Sequence, residues 1–459
     1  MPTPTARKAL SPPMATALVI GNMIGSGVFL LPAALAVYGG ISIVAWLFTA
    51  AGAFFLALVF ARLGRAYPRT GGPYAYSRRA FGDFVGFQTA WGYWIAAWVG
   101  NAAIAVAFVG YMGHFFDVFS RSSSGAKLAQ VALATAAIWL LTWVNIRGLR
   151  QAGLVQTATT VLKIVPLVAI AALGLFWLHS GNFTPFNAST KSNFGAITAA
   201  ATLTLWAFIG LESATVPAED VADASRTIPR STLIGTAITA VVYILGTVAV
   251  MGVIPMGDLA NSTAPFADAA TKMWGSWAGD AVALGAVIST FGCLNGWILL
   301  QGQVPFAAAR DRLFPTEFSR LNRYGAPAVG LVVSSVLLTG LMLTNYNSSL
   351  VARFSDMVLL ATLVTLVPYA YAAGAQLMLL ATDRQRFSGK HFAVDITIAF
   401  VAFGYSAWMI VGSGYKTIAW GFMLLLAGVP VFVWMKWRAA VKEPQLAAEE
   451  TPVDLSQAA

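Results

Sequence analysis

The stretch Gly21–Pro32, GNMIGSGVFLLP, decides how the rest of the chain is read. It lies inside an apolar run long enough to cross a bilayer, which takes about 20 residues of helix. Its middle, Gly25-Ser26-Gly27, is poor material for a continuous helix, since each glycine costs about 1 kcal/mol relative to alanine. The helix is therefore expected to open here. Unwound backbone at membrane depth survives only where it is buried in protein or lines a cavity. The opening would leave N–H groups unpaired at the start of the second half-helix, with the positive end of its dipole behind them, which suits a carboxylate. The carbonyls ending the first half, near Asn22 and Met23, could receive a cation. One broken helix thus offers both halves of an amino-acid backbone a partner.

The flanking sequence sets the medium. Of 459 residues, 58% are hydrophobic and 10% charged, with a mean hydropathy of +0.72. Apolar runs of about 18 residues or more recur throughout, the pattern of a multi-pass membrane protein. The single cysteine, Cys293, excludes a disulfide framework. The net charge of +10 does not point to nucleic acid, because the basic residues sit in short loops between apolar runs. The first apolar run lacks a small-residue cleavage site and reads as a retained span rather than a signal peptide.

Twelve spans are predicted: Met14–Ala36, Ile41–Leu63, Phe84–Phe116, Leu128–Asn145, Val155–Leu178, Phe194–Val216, Ser231–Ile254, Ala281–Ala309, Val329–Leu343, Met357–Ala381, Phe392–Val411 and Ile418–Trp437. With the N-terminus inside, 21 of the 28 Lys and Arg fall on the inner side, 6 on the outer, and Lys163 within a span. The positive-inside rule then puts both termini in the cytoplasm. Residues 1–13 form a cytoplasmic segment, 14–438 one membrane domain, and 443–459 a polar, acidic tail that reads as disordered.

A second interruption appears in the sixth span, TLWAFIGLESAT at Thr204–Thr215, where Gly210 and Glu212 break the apolar run. Spans one and six open two five-span sets, 14–178 and 194–381, with 392–437 adding two more spans. Interrupted helices at matching positions of two halves point to an inverted-repeat transporter with a midplane site. Five is odd, so the sets cross the membrane in opposite senses. The plainer alternative is that the glycines serve close helix packing; Gly21 and Gly25 fit the small-xxx-small spacing.

At these residues the chain resembles the amino acid–polyamine–organocation transporters, and within them the bacterial basic amino acid/polyamine antiporters. The resemblance runs from about Ser11 to Trp437, and rests on GNMIGSGVFLLPA (Gly21–Ala33), GGPYAYSRRAFG (Gly71–Gly82), LWAFIGLESA (Leu205–Ala214), STAPFADAA (Ser262–Ala270) and TLVPYAY (Thr365–Tyr371). It implies an all-α fold of 12 transmembrane helices, a leucine-transporter-type 5+5 inverted repeat with helices 1 and 6 broken. It also implies alternating access in an inner membrane, a small amino acid or amine as substrate, no cofactor, and often a homodimer.

The resemblance further implies roles for single residues. The amides of Ser26 and Gly27 would hold a substrate carboxylate, and the carbonyls of Met23, Trp206 and Ile209 its α-amino group. Trp206 resembles a middle gate that closes over the substrate. Trp297 resembles the aromatic that stacks on its far end, and Asn101 the amide that hydrogen-bonds a guanidinium there. Glu212 with Tyr93 and Tyr369 resembles an inner gate, and Tyr74 a cytoplasmic-side tyrosine linked to acid activation. An acid at mid-membrane is a functional candidate on physical grounds alone. A buried Asn serves equally as interhelical glue, and Tyr74 could be an ordinary interfacial tyrosine. Ala97, Ile104 and Ala361 stand where the arginine/agmatine-exchanging branch has more adaptable or polar side chains, which makes the distal pocket drier and bears on arginine selectivity.

Lys163 is the larger departure, since the same branch carries a small apolar residue there. A lysine at bilayer centre costs about 2.5–3.5 kcal/mol on insertion scales, so it should face the bundle interior. Three readings compete: a fixed cation that removes sodium dependence, a carrier of the coupling proton, or a side chain that snorkels to an interface. His114, His179 and His391 show no metal-ligand spacing, and no nucleotide, nucleophile or cofactor motif is present. The sequence reads as an exchanger of an amino acid, arginine first, for its decarboxylated amine. A proton-coupled importer using Lys163 is the alternative. A membrane-embedded sensor or enzyme would need a signalling domain or reactive cluster that the sequence does not display.

Overall fold

The two interruptions read from the sequence face each other inside a bundle made of helices. The structure is a computed structural model and describes residues 9–121, 123–344, 350–387 and 392–449. Among them there is no strand. In chain order the α-helices are α1 (Pro12–Met23), α2 (Ser26–Ala36), α3 (Ile41–Ala66), α4 (Pro73–Phe81), α5 (Asp83–Met112), α6 (Ser124–Ile146), α7 (Leu149–Leu173) and α8 (Asn193–Leu205). They continue with α9 (Ala224–Val253), α10 (Met256–Asn261), α11 (Pro265–Trp274), α12 (Ser276–Arg310), α13 (Ala328–Thr344), α14 (Leu350–Thr382), α15 (Phe392–Gly412), α16 (Tyr415–Leu426) and α17 (Gly428–Glu449). Among the described residues ten helical segments are long and apolar enough to cross a membrane, and Asn193–Phe208 and Ala328–Thr344 are shorter apolar ones. Helices suit that medium because they satisfy their backbone polar groups internally.

Burial ranks the helices. Within the most apolar stretch, 83% of α1–α2 and of α5 and 78% of α12 is buried, against 22% of Tyr415–Arg438. The first three therefore form the centre, and the last is peripheral. Trp420, Phe422 and Met423 of α16 are exposed, as the lipid-facing surface of a membrane protein should be.

Between α1 and α2 the backbone turns extended at Ile24 (ψ 91°) and unwinds at Gly25 (φ −140°, ψ −129°). Ser26 and Gly27 lie in the first turn of α2, so the break falls one residue earlier than the glycine pair implied. The packing role of the glycines holds as well. A Cβ at Gly21 would stand 2.0 Å from Gln156 Nε2 of α7, and one at Gly25 would stand 2.2 Å from Cys293 Sγ of α12.

The second interruption departs further from expectation. The sequence predicts one sixth span to Val216 with a local break, but α8 ends at Leu205. The chain then runs through three short 3₁₀ turns, Trp206–Phe208, Ser213–Thr215 and Ala218–Asp220, before α9. Gly210 at φ 112° cannot be helical, and its N–H turns to the Glu212 carboxylate instead (3.2 Å). A Cβ on Gly210 would stand 3.0 Å from Asn22 Cβ and 3.2 Å from the Asn22 carbonyl carbon. The two breaks are thus in van der Waals contact through this glycine.

Smaller differences lie elsewhere. The last predicted span is split between α16 and α17 at Ala427. The short helices α4, α10 and α11 were not anticipated. Leu10, before α1, bridges to Val221, donating to Asp220 O (3.0 Å) and accepting from Ala222 N (2.9 Å). Of the tail, residues 450–459 lie outside the described residues, as do Lys390 and His391.

Gly210→Ala is expected to destabilise the protein by at least about 1–2 kcal/mol, the cost of an L side chain in the left-handed region, with the Asn22 contact adding to it. A melting temperature of the detergent-solubilised variant equal to that of the parent would refute the claimed contact.

Candidate functional site

The site is built on orphan backbone groups. A helix end leaves its last carbonyls and first N–H groups without helical partners. Leaving such a group buried and unmet costs about 1–3 kcal/mol. At the end of α1 side chains from three other helices meet them. Lys163 of α7 donates from Nζ to Gly21 O (2.7 Å) and to Ile24 O. Ser289 of α12 donates to Ile24 O (3.2 Å). Trp297 Nε1 (3.1 Å) and Cys293 Sγ (3.2 Å), also of α12, donate to Asn22 O. Tyr243 of α9 donates to Met23 O (2.5 Å).

The Asn22 and Met23 carbonyls, expected to suit a cation, accept from neutral donors here, and the Met23 oxygen keeps a second lone pair. The Lys163 ammonium sits on the carbonyls that flank them, Gly21 O and Ile24 O. Lys163 is fully buried, so its side chain does not run to an interface. It stands at the negative end of the α1 dipole.

On the other side of the break, the first turn of α2 borders a small, nearly closed cavity of about 10 Å³, room for about one water. The break residues Asn22, Met23, Gly25, Ser26 and Gly27 line it on one side, and Ile104, Trp206, Ile209, Cys293 and Trp297 on the others. Trp206 lies across it. Its Nε1 donates to Ser26 Oγ (3.3 Å). A Cβ at Gly27 would stand 3.1 Å from the indole Cδ1, and one at Gly100 would stand 3.0 Å from Cη2 and 3.8 Å from Ala361 Cβ. The indole therefore spans from α2 to α5 beside Ala361 of α14. The Trp206 carbonyl accepts the Ile209 N–H (3.2 Å). Trp297 also packs on Tyr93, with centroids 6.2 Å apart.

Ala97, Asn101 and Ile104 share one face of α5, at helical spacing, and all are buried. Of the three only Ile104 lines the cavity directly. Asn101 donates from Nδ2 to Gln301 Oε1 (2.8 Å), and its own Oδ1 is buried with no partner among the described residues.

Glu212 is fully buried and held on every side. Tyr93 Oη donates to Oε1, Tyr369 Oη to Oε2, and Gly210 N to Oε2 at 3.2 Å. The structure thus unites three residues from α5, the second break and α14. Tyr74 sits apart from the cavity, where Asp311 accepts from Tyr74 Oη (2.7 Å) and pairs with Arg78 (2.7 Å) and Arg69 (2.9 Å). Burial, then the Asp311 carboxylate, pushes the Tyr74 phenol above its ordinary value, which keeps it a neutral donor near pH 7. Asp383 binds Tyr67 (2.7 Å) and Arg79 (2.8 Å) in the same region. On the opposite side of the cavity a wider apolar recess is lined by Leu30, Val106, Leu203 and Phe354.

Several participants were missed in the sequence: Tyr243, Ser289, Cys293 and Gln301, together with the side chains of Asn22, Gln156, Ser213 and Asn295. The last four form one buried chain. Asn295 Nδ2 donates to Ala152 O (3.0 Å) and Gln156 Oε1 (3.3 Å), Gln156 Nε2 to Asn22 Oδ1 (3.4 Å), and Asn22 Nδ2 to Ser213 Oγ (2.8 Å). The available clue was the polar side chain inside an apolar span, which is costly and therefore paired or functional. Among the described residues, no group of three or more His, Cys, Asp and Glu could hold a metal ion.

A polar cavity enclosed by broken backbone, within a bundle of apolar helices, is the construction of a membrane transport protein. Comparison with known proteins agrees. Residues 10–433 match the family model described as amino acid permease, and the chain belongs to that family. The arginine/ornithine antiporter of Pseudomonas aeruginosa is 32% identical over 431 residues, covering 91% of this chain and 89% of that protein. The cadaverine/lysine antiporter of Escherichia coli K12 is 36% identical over 363 residues, covering 78% and 80%. A putrescine transporter of Haemophilus influenzae is 32% identical over 432 residues, covering 93% and 97%. The chain is a multi-pass membrane transporter and not an enzyme.

Lys163→Ala is expected to reduce transport at least about tenfold, since it strips a charged donor worth about 1.5–3 kcal/mol from the end of α1, while the protein still inserts. Transport per inserted molecule at the parent rate would show the ammonium to be dispensable.

Proposed function

We infer that this protein is a secondary transporter that exchanges a basic amino acid, arginine first, for its decarboxylated amine or for another amino acid. The observation that carries the reading is the pairing of an open α2 N-terminus, suited to a carboxylate, with a cavity walled by Trp206 and Trp297. The names of the relatives add support: arginine, ornithine, cadaverine, lysine and putrescine share a cationic nitrogen at the end of an alkyl chain.

On this reading twelve spans form a 5+5 inverted repeat, 14–178 and 194–381, followed by two further helices at 392–437. Both termini are cytoplasmic, the membrane is the bacterial inner membrane, and two copies form a homodimer. The Ser26 and Gly27 amides take the carboxylate, and the Met23, Trp206 and Ile209 carbonyls take the α-amino group. Trp297 and Asn101 meet the distal cation, while Ala97, Ile104 and Ala361 shape an apolar passage for the alkyl chain. The cluster of Glu212, Tyr93 and Tyr369 closes the inner side and Trp206 the outer side. Tyr74 with Asp311 reinforces the inner closure. Lys163 supplies a resident charge where a metal cation would otherwise be needed, so that exchange runs without sodium or ATP. Its two contacts on α1 carbonyls favour this fixed-cation role over a titrating one.

Uptake of labelled arginine into proteoliposomes tests the exchange. It is expected only when the lumen holds arginine, agmatine, ornithine or a diamine. Accumulation in empty vesicles under an inward proton gradient would overturn exchange in favour of proton-coupled import. No flux under any loading would remove cationic substrates. Trp297→Leu is expected to weaken substrate binding at least about fivefold, as loss of a desolvated cation–π contact of about 2 kcal/mol would allow. An unchanged affinity would remove the stacking role.

A further inference from the structure

Asn101 Oδ1 is a fully buried acceptor without a partner among the described residues. Which end of that amide is left over is decided elsewhere, by a directed chain of hydrogen bonds through four helices. The chain begins at a backbone carbonyl, which can only accept. Thr142 Oγ1 of α6 is 2.7 Å from Ile138 O and spends its one proton there. Toward Ser335 of α13, 2.7 Å away, Thr142 must therefore accept, so Ser335 gives its proton to Thr142. Ser335 Oγ in turn accepts from Gln301 Nε2 at 3.1 Å. With its nitrogen committed, Gln301 of α12 turns Oε1 to α5, and Asn101 answers with Nδ2 at 2.8 Å. The reverse setting of Asn101 would put two amide oxygens face to face. All four side chains are buried, so water does not scramble the order.

We propose that Gln301, Ser335 and Thr142 are positioning residues that fix the polarity of the Asn101 amide, so that the α5 face one turn from the cavity-lining Ile104 presents an acceptor to the far end of a bound substrate and selects a cationic head group. Asn101 shares its helix face with the cavity-lining Ile104, one residue from Gly100, on which the Trp206 indole packs. An acceptor there favours the N–H groups of an ammonium or guanidinium. The same amide turned round would offer a donor and favour a neutral carbonyl-bearing head. Discrimination of this kind comes from leaving a buried group unmet by the wrong substrate. The assignment rests on the cationic substrate class proposed above, and adds what enforces it.

The test compares arginine with citrulline, whose ureido group replaces the guanidinium by a neutral carbonyl of nearly the same shape. Calorimetric dissociation constants are measured on the purified full-length protein. The parent is expected to prefer arginine. Thr142→Val keeps the side-chain shape, lies away from the cavity, and releases the direction of the chain. It should narrow the arginine/citrulline ratio by about three- to tenfold, as should Ser335→Ala. In an Asn101→Asp background, where both oxygens accept, Thr142→Val should move the ratio by less than about twofold, because the coupling is then absent. A purely structural role would change both ligands alike and leave the ratio in place. A parent that prefers arginine while Thr142→Val and Ser335→Ala keep its ratio would overturn this inference alone. A parent that prefers citrulline, or binds neither ligand, would overturn the cationic substrate class and this inference with it.

Discussion

The structure depends on the cost of open backbone in a medium without water. Breaking α1 at Ile24–Gly25 leaves carbonyls that no helix turn can pair, and in a membrane interior each must find a donor. The solution draws α7, α9 and α12 against one point: Lys163 and Ser289 on Ile24, Lys163 also on Gly21, Trp297 and Cys293 on Asn22, Tyr243 on Met23. Four of these donors are neutral and one is charged, and the charge stands where the α1 dipole is negative. The same break frees the amides of α2. The cavity and the polar shell behind it are thus two consequences of one interruption.

The constraint explains why small residues crowd this region. Gly21 and Gly25 let α7 and α12 come close enough for their side chains to reach the open carbonyls. Gly296 does the same from α12, where a Cβ would lie 1.8 Å from Asn22 Oδ1. Packing glycine and unwinding glycine, opposed as readings of the sequence, are one device here: a broken helix is tolerable only if its neighbours stand near enough to repair it.

What was legible follows from the range of each interaction. The break in α1, the contact residue Gly210 and the buried acid Glu212 stand out within a dozen residues, because glycine and charge are conspicuous in an apolar run. The partners of those features are distant in the chain, and their residue types are ordinary. Tyr243 lies 220 positions from the carbonyl it meets, and Ser289 lies 265 from its own. Nothing local marks either one. The loss of helix after Leu205 was half visible: Gly210 forbids the helix there, but the long 3₁₀ passage to α9 also depends on Glu212 recruiting the Gly210 N–H, a choice the sequence does not display. Lys163 was conspicuous and its partners were not; its full burial excludes a side chain that reaches an interface.

The buried amides extend this logic from position to direction. Asn295 is tied to the Ala152 carbonyl, so it can only donate to Gln156 Oε1; Gln156 must then donate to Asn22, and Asn22 to Ser213. The chain crosses from α12 through α7 to both broken segments, and its polarity is set at one end by a backbone carbonyl. An amide can exchange its two ends only if its neighbours do so too, since a mismatch leaves a buried donor or acceptor unmet. Because the Ala152 carbonyl can only accept, the chain has a single direction and resists any partial reversal. The hydrogen bonding around Asn22 thus fixes how both broken segments sit against α7 and α12.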